Sequence, residues 1–394
     1  MIEAAERPRI ATAGGRAEPA LLAFVRRLDW ILLAAAVGLV GYGVWVVSGI
    51  TRFDVPGDES YYVVRQEIAA GIGFVGLVVA SLVPVDVARR HWQLLYGTTL
   101  TLIVVVFVAA ETIRGSKRWI DLGFIQFQPS ELGKVLFVLA IAGFLVERGG
   151  RVTRWRTIFS AVALGSAPIL LVFLQPDLGT AFVYGAALLA VLFFVGVRWR
   201  QLLALVAVGA IGVAGVLWLL PEAGIQVLKP YQAARLTLDP GADPGGITYN
   251  LDQSITAVGS GGLTGRGVVE ATQTRLDYLP EHATDFAFAS LAEQRGFVGC
   301  AILLLLYLLV VWRGLRVLTV AGDLYGAVVA GGLVFAFLFQ IFVNVGMTMG
   351  VAPVTGIPLP FVTVGGTSMV ANLVLIGVLE GIHARGNLSG RSVP

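Results

Sequence analysis

Ten apolar segments, each roughly long enough to form a membrane-spanning helix, divide this chain near residues 29–50, 66–83, 92–110, 131–147, 157–174, 179–197, 201–220, 285–312, 323–349 and 366–385. About 20 apolar residues carry a helix across the hydrocarbon core of a bilayer, where every backbone N–H and C=O must be bonded internally. The expected fold is therefore an all-α polytopic membrane protein with about ten transmembrane helices. Composition agrees, with 57% hydrophobic and only 13% charged residues. It overrides the two or three soluble domains that 394 residues would otherwise suggest.

Orientation is read from the basic residues in the connections. With the N-terminus in the cytoplasm, that side receives 17 of the 28 Lys and Arg residues and 8 of the 25 acids, so the positive-inside trend places both termini there. The expected divisions are a cytoplasmic tail 1–28, helices 1–7 over 29–220, a large extracytoplasmic loop 221–284, helices 8–10 over 285–385 with a re-entrant outer segment near 353–368, and a cytoplasmic tail 386–394. The excess of basic residues follows from the membrane rule and does not indicate nucleic acid. Cys300 is the only cysteine, which excludes a disulfide within the chain, and the three histidines are far apart, so no metal site is expected. No cofactor is assigned, and a divalent cation is not readable from these residues.

Several connections carry chemistry. Between helices 3 and 4, Arg114, Lys117 and Arg118 put three cations on the face that otherwise lacks them, beside Trp119. They suit either an anionic ligand such as a phosphate or plain snorkelling to headgroups, with Trp119 in the interfacial aromatic belt. Glu131 and Lys134 are three residues apart on one helical face, as a structural latch or as the wall of a polar cavity. Asp177, in L-Q-P-D-L-G-T, either caps helix 6 or faces a cavity. The long connection contains Y-N-L-D-Q-S and G-S-G-G-L-T-G-R-G (259–267). The glycine run is a weak phosphate-loop signal because no βαβ unit surrounds it, and flexible backbone closing a cavity is the better reading. In helix 9, Gln340, Asn344 and the pair Gly346 and Gly350 read as close helix packing with interhelical hydrogen bonds. Residues 353–368 hold three prolines and three glycines in an apolar stretch, which implies re-entrant backbone.

The organising stretch is 276–299, where Asp285 stands at the border between polar loop and apolar helix. A carboxylate there is costly to desolvate and is a functional candidate by default, although Asp285 also suits a helix start. In the expected topology Asp285, Glu281, the 114–119 loop, Asp177 and the 353–368 segment all lie at the outer leaflet. An acid to accept a hydroxyl proton and cations to steady a phosphate leaving group suit sugar transfer from a lipid pyrophosphate.

The segments G-S-K-R-W-I-D-L-G, Q-P-S-E-L-G-K, L-Q-P-D-L-G-T, Y-L-P-E-H-A-T-D-F-A-F and T-G-I-P-L-P-F-V-T-V-G-G-T-S resemble, in order and over nearly the whole chain, the signature segments of the SEDS (FtsW/RodA/SpoVE) family. Q-P-D-L-G-T and A-T-Q-T-R-L-D-Y-L-P-E are more similar to its elongation members than to its division members. The resemblance implies a peptidoglycan polymerase of the bacterial cytoplasmic (inner) membrane, active on the outer face in cell elongation and cell shape. Such an enzyme joins lipid II units by inverting β-1,4 glycosyl transfer, releases undecaprenyl pyrophosphate and works with a class B penicillin-binding protein. It also implies that Asp285 is the essential aspartate, with Trp119, Glu131, Lys134 and Asp177 at the family's other marked positions. Three departures stand out. Ala283 replaces the usual histidine, with His282 one step earlier and no role assigned to it. Gln294 replaces the second acid of E-E beside Glu293, and T-V-G-G-T replaces S-Y-G-G-S. Competing functions are a flippase for lipid-linked precursors, a division-type polymerase, and a noncatalytic scaffold.

Overall fold

The structure is a computed structural model that describes residues 20–109, 118–121, 123, 126–225, 228, 233 and 246–389. Among these residues, nine helices are long and apolar enough to cross a membrane and a tenth, Leu178–Phe194, is apolar but 17 residues long. In chain order they are α1 (Trp30–Ile50), α2 (Tyr61–Leu82), α3 (Trp92–Ala109), α4 (Pro129–Val146), α5 (Trp155–Leu174), α6 (Leu178–Phe194), α7 (Trp199–Glu222), α8 (Ala287–Val320), α9 (Leu324–Thr348) and α10 (Gly366–Ser389). The protein is an all-α integral membrane protein.

Local chemistry sets several boundaries. Asp29 caps α1 by accepting from the N–H groups of Ile31 and Leu32, and Asp177 and Asp323 cap α6 and α9 in the same way. Pro129 opens α4, where its missing N–H costs nothing. The apolar stripes then sort the helices by depth. The most apolar windows of α4, α9 and α10 are 83%, 72% and 83% buried, while that of α7 is 0% buried. The core is therefore built on α4, α6, α9 and α10; α2 lies along α10, α3 against α4, and α1 against α8.

The long connection is structured where it is described. Tyr249 to Ser254, the Y-N-L-D-Q-S run, lies on a helix, Ile247–Ser260, that packs on α8. Its sequence had been expected to form loop. The following glycine run, expected as flexible backbone closing a cavity, packs closely on α8. A Cβ at Gly261 would collide with the carbonyl of Ala292, and Phe297 and Val298 donate their N–H groups to the carbonyls of Gly262 (2.9 Å) and Leu263 (3.1 Å). This backbone-to-backbone approach is made where α8 kinks at Gly296, whose φ of 64° is open to glycine at little cost. In the glycine pair of α9, Gly346 faces Ala352 of its own segment, while Gly350, past the helix end with φ +74°, packs closely on Ile255 of the Ile247–Ser260 helix.

At the opposite end of α8, Arg313 binds Asp29 with Nε at 2.8 Å and 3.1 Å and Nη2 at 2.5 Å. Glu380 of α10 accepts the Asp29 N–H at 2.8 Å. All three side chains are buried, which locks α1, α8 and α10 together.

Candidate functional site

Asp285 belongs to the turn 281–286 that leads into α8. Phe286, not Asp285, takes the N-cap position, so the carboxylate stands one residue outside the cap and is half-buried. Asn344, fully buried in α9, donates from Nδ2 to the carbonyls of Asp285 (3.1 Å) and Ile357 (2.7 Å). Thr363 Oγ1 donates to the Thr284 carbonyl (3.1 Å), and the Val364 N–H donates to that of Ala283 (2.9 Å). The turn is thus stitched to the 353–365 segment.

That segment has no helix, as its prolines and glycines dictate. Its buried polar backbone is satisfied by side chains. Tyr307 Oη donates to the Pro360 carbonyl (2.5 Å), Gln66 Nε2 to that of Thr363 (3.2 Å), and the Leu359 N–H donates to Thr363 Oγ1 (2.8 Å). Irregular backbone is tolerated within an apolar bundle only on such terms. Glu281 lies in the same turn and accepts from Thr284 Oγ1 at 2.8 Å.

A second group surrounds Asp177. Gln128 Nε2 donates to its Oδ2 (3.0 Å), the Thr180 N–H to its Oδ1 (3.1 Å), and Arg118 Nη1 lies 3.8 Å away. Arg118 also donates to the carbonyls of Gln175 and Pro176, and its Cζ lies 5.9 Å from the ring centre of the half-buried Trp119. Cap and ion pair therefore coexist at Asp177. Arg114 and Lys117 lie outside the described residues. The antiparallel pair Ile120–Asp121 and Gln126–Phe127 leads from Trp119 to α4, and Thr367 at the start of α10 ties it down, donating to the Gln126 carbonyl (2.7 Å) and accepting from the Gln128 N–H (3.0 Å).

Glu131 and Lys134 form a buried ion pair of 2.8 Å. They line a small cavity with Gln340, Asn372 and apolar residues of α9 and α10. Glu131 Oε1 and Gln340 Nε2, both buried, have no hydrogen-bond partner among the described residues. Latch and cavity wall are thus the same pair of residues.

The chain matches the profile of the FtsW/RodA/SpoVE family, described as cell cycle protein, over residues 26–387. It belongs to this family. The peptidoglycan glycosyltransferase MrdB of Escherichia coli K12 is 36% identical over 370 residues, covering 93% of this chain and 97% of that one. A chain from a peptidoglycan synthase complex that coordinates polymerization and crosslinking aligns with a TM-score of 0.75 at 30% identity, covering 91% of this chain and 98% of its own length. The rod shape determining protein RodA of Thermus thermophilus aligns with a TM-score of 0.66 at 27% identity, over 90% of this chain and 96% of its own.

The three departures from the family's usual segments have local explanations. Thr363 and Thr367 keep the hydroxyls that serines would supply, and both are used. Gln294 donates to the Gly49 carbonyl at 3.2 Å, which a carboxylate cannot do, while Glu293 accepts from the backbone of Gln273 and Thr274 and from the Thr274 hydroxyl. His282 is bound to Asp54 (Nε2 to Oδ1, 3.0 Å) in the loop between α1 and α2, a loop whose sequence showed only turn chemistry. Burial pushes its imidazole down, but the hydrogen bond and charge of Asp54, helped by Asp277 and the Leu279 carbonyl, lift it above its ordinary value of 6.5 overall. Sequence reading missed Asp54, Gln66 and Gln128. The signals available were a glutamine inside the apolar run of α2 and the first residue of Q-P-S-E-L-G-K, polar groups that need a partner if buried.

Proposed function

We propose that this chain is a peptidoglycan glycosyltransferase that polymerises lipid II, with Asp285 as the catalytic base. The carrying observation is the placement of a half-buried carboxylate on a turn fixed by Asn344 and Thr363, in a chain that aligns end to end with relatives named for this activity. The acceptor's GlcNAc 4-hydroxyl gives its proton to the Asp285 carboxylate as its oxygen bonds to the donor's MurNAc C1. The bond from C1 to the pyrophosphate oxygen breaks with its electron pair, the α-linkage becomes β-1,4, and undecaprenyl pyrophosphate leaves. Such a base contributes about 10²–10⁴-fold.

Arg114, Lys117 and Arg118 steady the pyrophosphate, and Trp119 supplies a face for a sugar. Arg118 does so while bound to the 175–177 turn, which fixes its direction. Glu131, Lys134, Asp177 and Glu281 complete the substrate-binding set. The site faces the outside of the cytoplasmic membrane with both termini inside, and a class B penicillin-binding protein crosslinks the product. Elongation is the assigned role, on the runs Q-P-D-L-G-T and A-T-Q-T-R-L-D-Y-L-P-E. Purified protein in liposomes with lipid II tests the reading: glycan polymer on gels is expected, whereas translocated lipid II without polymer would make the chain a flippase.

A further inference from the structure

Both ring nitrogens of His282 face acceptors. Nε2 lies 3.0 Å from Asp54 Oδ1, while Nδ1 lies 3.3 Å from the Leu279 carbonyl and 3.5 Å from Asp277 Oδ1. A neutral imidazole has one N–H and can serve only one side; the doubly protonated ring serves both. The His282 side chain is 11% exposed and the Asp54 side chain 19%, so water substitutes poorly for a lost partner on the Asp54 side, while Asp277 is 80% exposed. Arg275 and Arg52 reinforce the same junction, each lying over the Phe53 ring at 5.7 Å and 5.9 Å. The charged groups at the ring are Asp54 from the α1–α2 loop and Asp277 from its own segment, with Arg52 and Arg275 flanking through Phe53; residues 353–365, which pack on the turn, contain no ionisable side chain.

We propose that His282, whose two ring nitrogens bridge Asp54 and the Leu279 carbonyl, is a positioning residue that fixes the 281–286 turn and so gives polymerisation an alkaline pH limit. The inference rests on the reading of Asp285 as catalytic base. When His282 loses its proton, Nδ1 turns from donor to acceptor against a carbonyl and a carboxylate. The turn loosens three residues from Asp285. His282 O also accepts from Ser290 Oγ at 3.2 Å, so the strain reaches the first turn of α8.

The test uses the full chain in liposomes with lipid II, with kcat and KM measured from about pH 5 to pH 8.5. Wild-type kcat is expected to fall several-fold as His282 titrates, with KM nearly constant. His282→Gln should run at a lower, flat rate over the same range, and Asp54→Asn should move the fall down by about one pH unit. A second readout covers a variant that folds poorly: in a His91→Gln/His383→Gln background His282 is the only histidine left, and its ¹³C-labelled imidazole should titrate above 6.5. Profiles of wild type and His282→Gln that differ only by a constant factor, or an imidazole titrating at or below 6.5, would overturn the inference. Asp285→Asn separates the two claims. If that variant polymerises, the reading of Asp285 fails; if it is inactive while His282→Gln keeps the wild-type pH profile, only the present inference fails.

Discussion

Where α1 begins and α8 ends, Arg313 grips Asp29 with two nitrogens while Asp29 also accepts the first N–H groups of its helix, and these side chains are buried. Where α8 begins, Asp285 is half-buried on a turn, Arg118 reaches Asp177 only at 3.8 Å, and the buried Glu131 keeps one oxygen without a partner among the described residues. The first arrangement closes Asp29 and Arg313 on each other, although Glu380 Oε1 beside them has no hydrogen-bond partner among the described residues. The second gathers its charges beside irregular backbone that side chains hold in place. Buried charge alone therefore does not locate function, nor does one unpartnered oxygen; charge at a point where irregular backbone is held by side chains does so better.

If the contrast is sound, substitutions at the two ends should separate stability from activity. Arg313→Ala leaves Asp29 buried and unpaired and should cost about 3–5 kcal/mol of stability, seen as a lower thermal midpoint in detergent, with activity per folded molecule kept. Adding Asp29→Asn to Arg313→Met should restore much of that loss, because the cap survives and the uncompensated charge is gone. Asn344→Ala strips the buried carbonyls of Asp285 and Ile357 of their donor at once. It should cost about 1–3 kcal/mol and also lower kcat, which distinguishes it from the Arg313 change. Gln294→Glu removes the donor to Gly49 O from a buried position and should cost about 1–2 kcal/mol with little effect on KM.

The smallest effect concerns pH. Because the His282 pKa is raised in the folded state, its contribution to stability is complete below the unfolded value near 6.5 and disappears as pH rises through the folded value. Melting curves of wild type should lose this increment across that window, and those of His282→Gln should not.

Much of the fold was legible because bilayer-length apolar runs admit few alternatives. The break at 353–365 was legible from its prolines. The Y-N-L-D-Q-S helix was not, since its apolar face appears only once α8 is there to cover it, and the glycine run, read as flexible backbone closing a cavity, shows its packing role only beside the kink at Gly296. At the candidate site, Asp285, Asp177, Glu131 and Lys134 announced themselves as charges at apolar borders. Their supports did not: Asn344, Gln66 and Asp54 act across 59, 297 and 228 residues of sequence, and no local pattern encodes such pairings.

The central claim is that the Asp285 carboxylate takes a proton. Asp285→Asn keeps the shape of the side chain and removes its basicity. Mixed with lipid II as purified protein, it should bind the substrate and melt as wild type does while forming polymer at least about 10²-fold more slowly. Polymerisation within a few-fold of wild type would contradict the account.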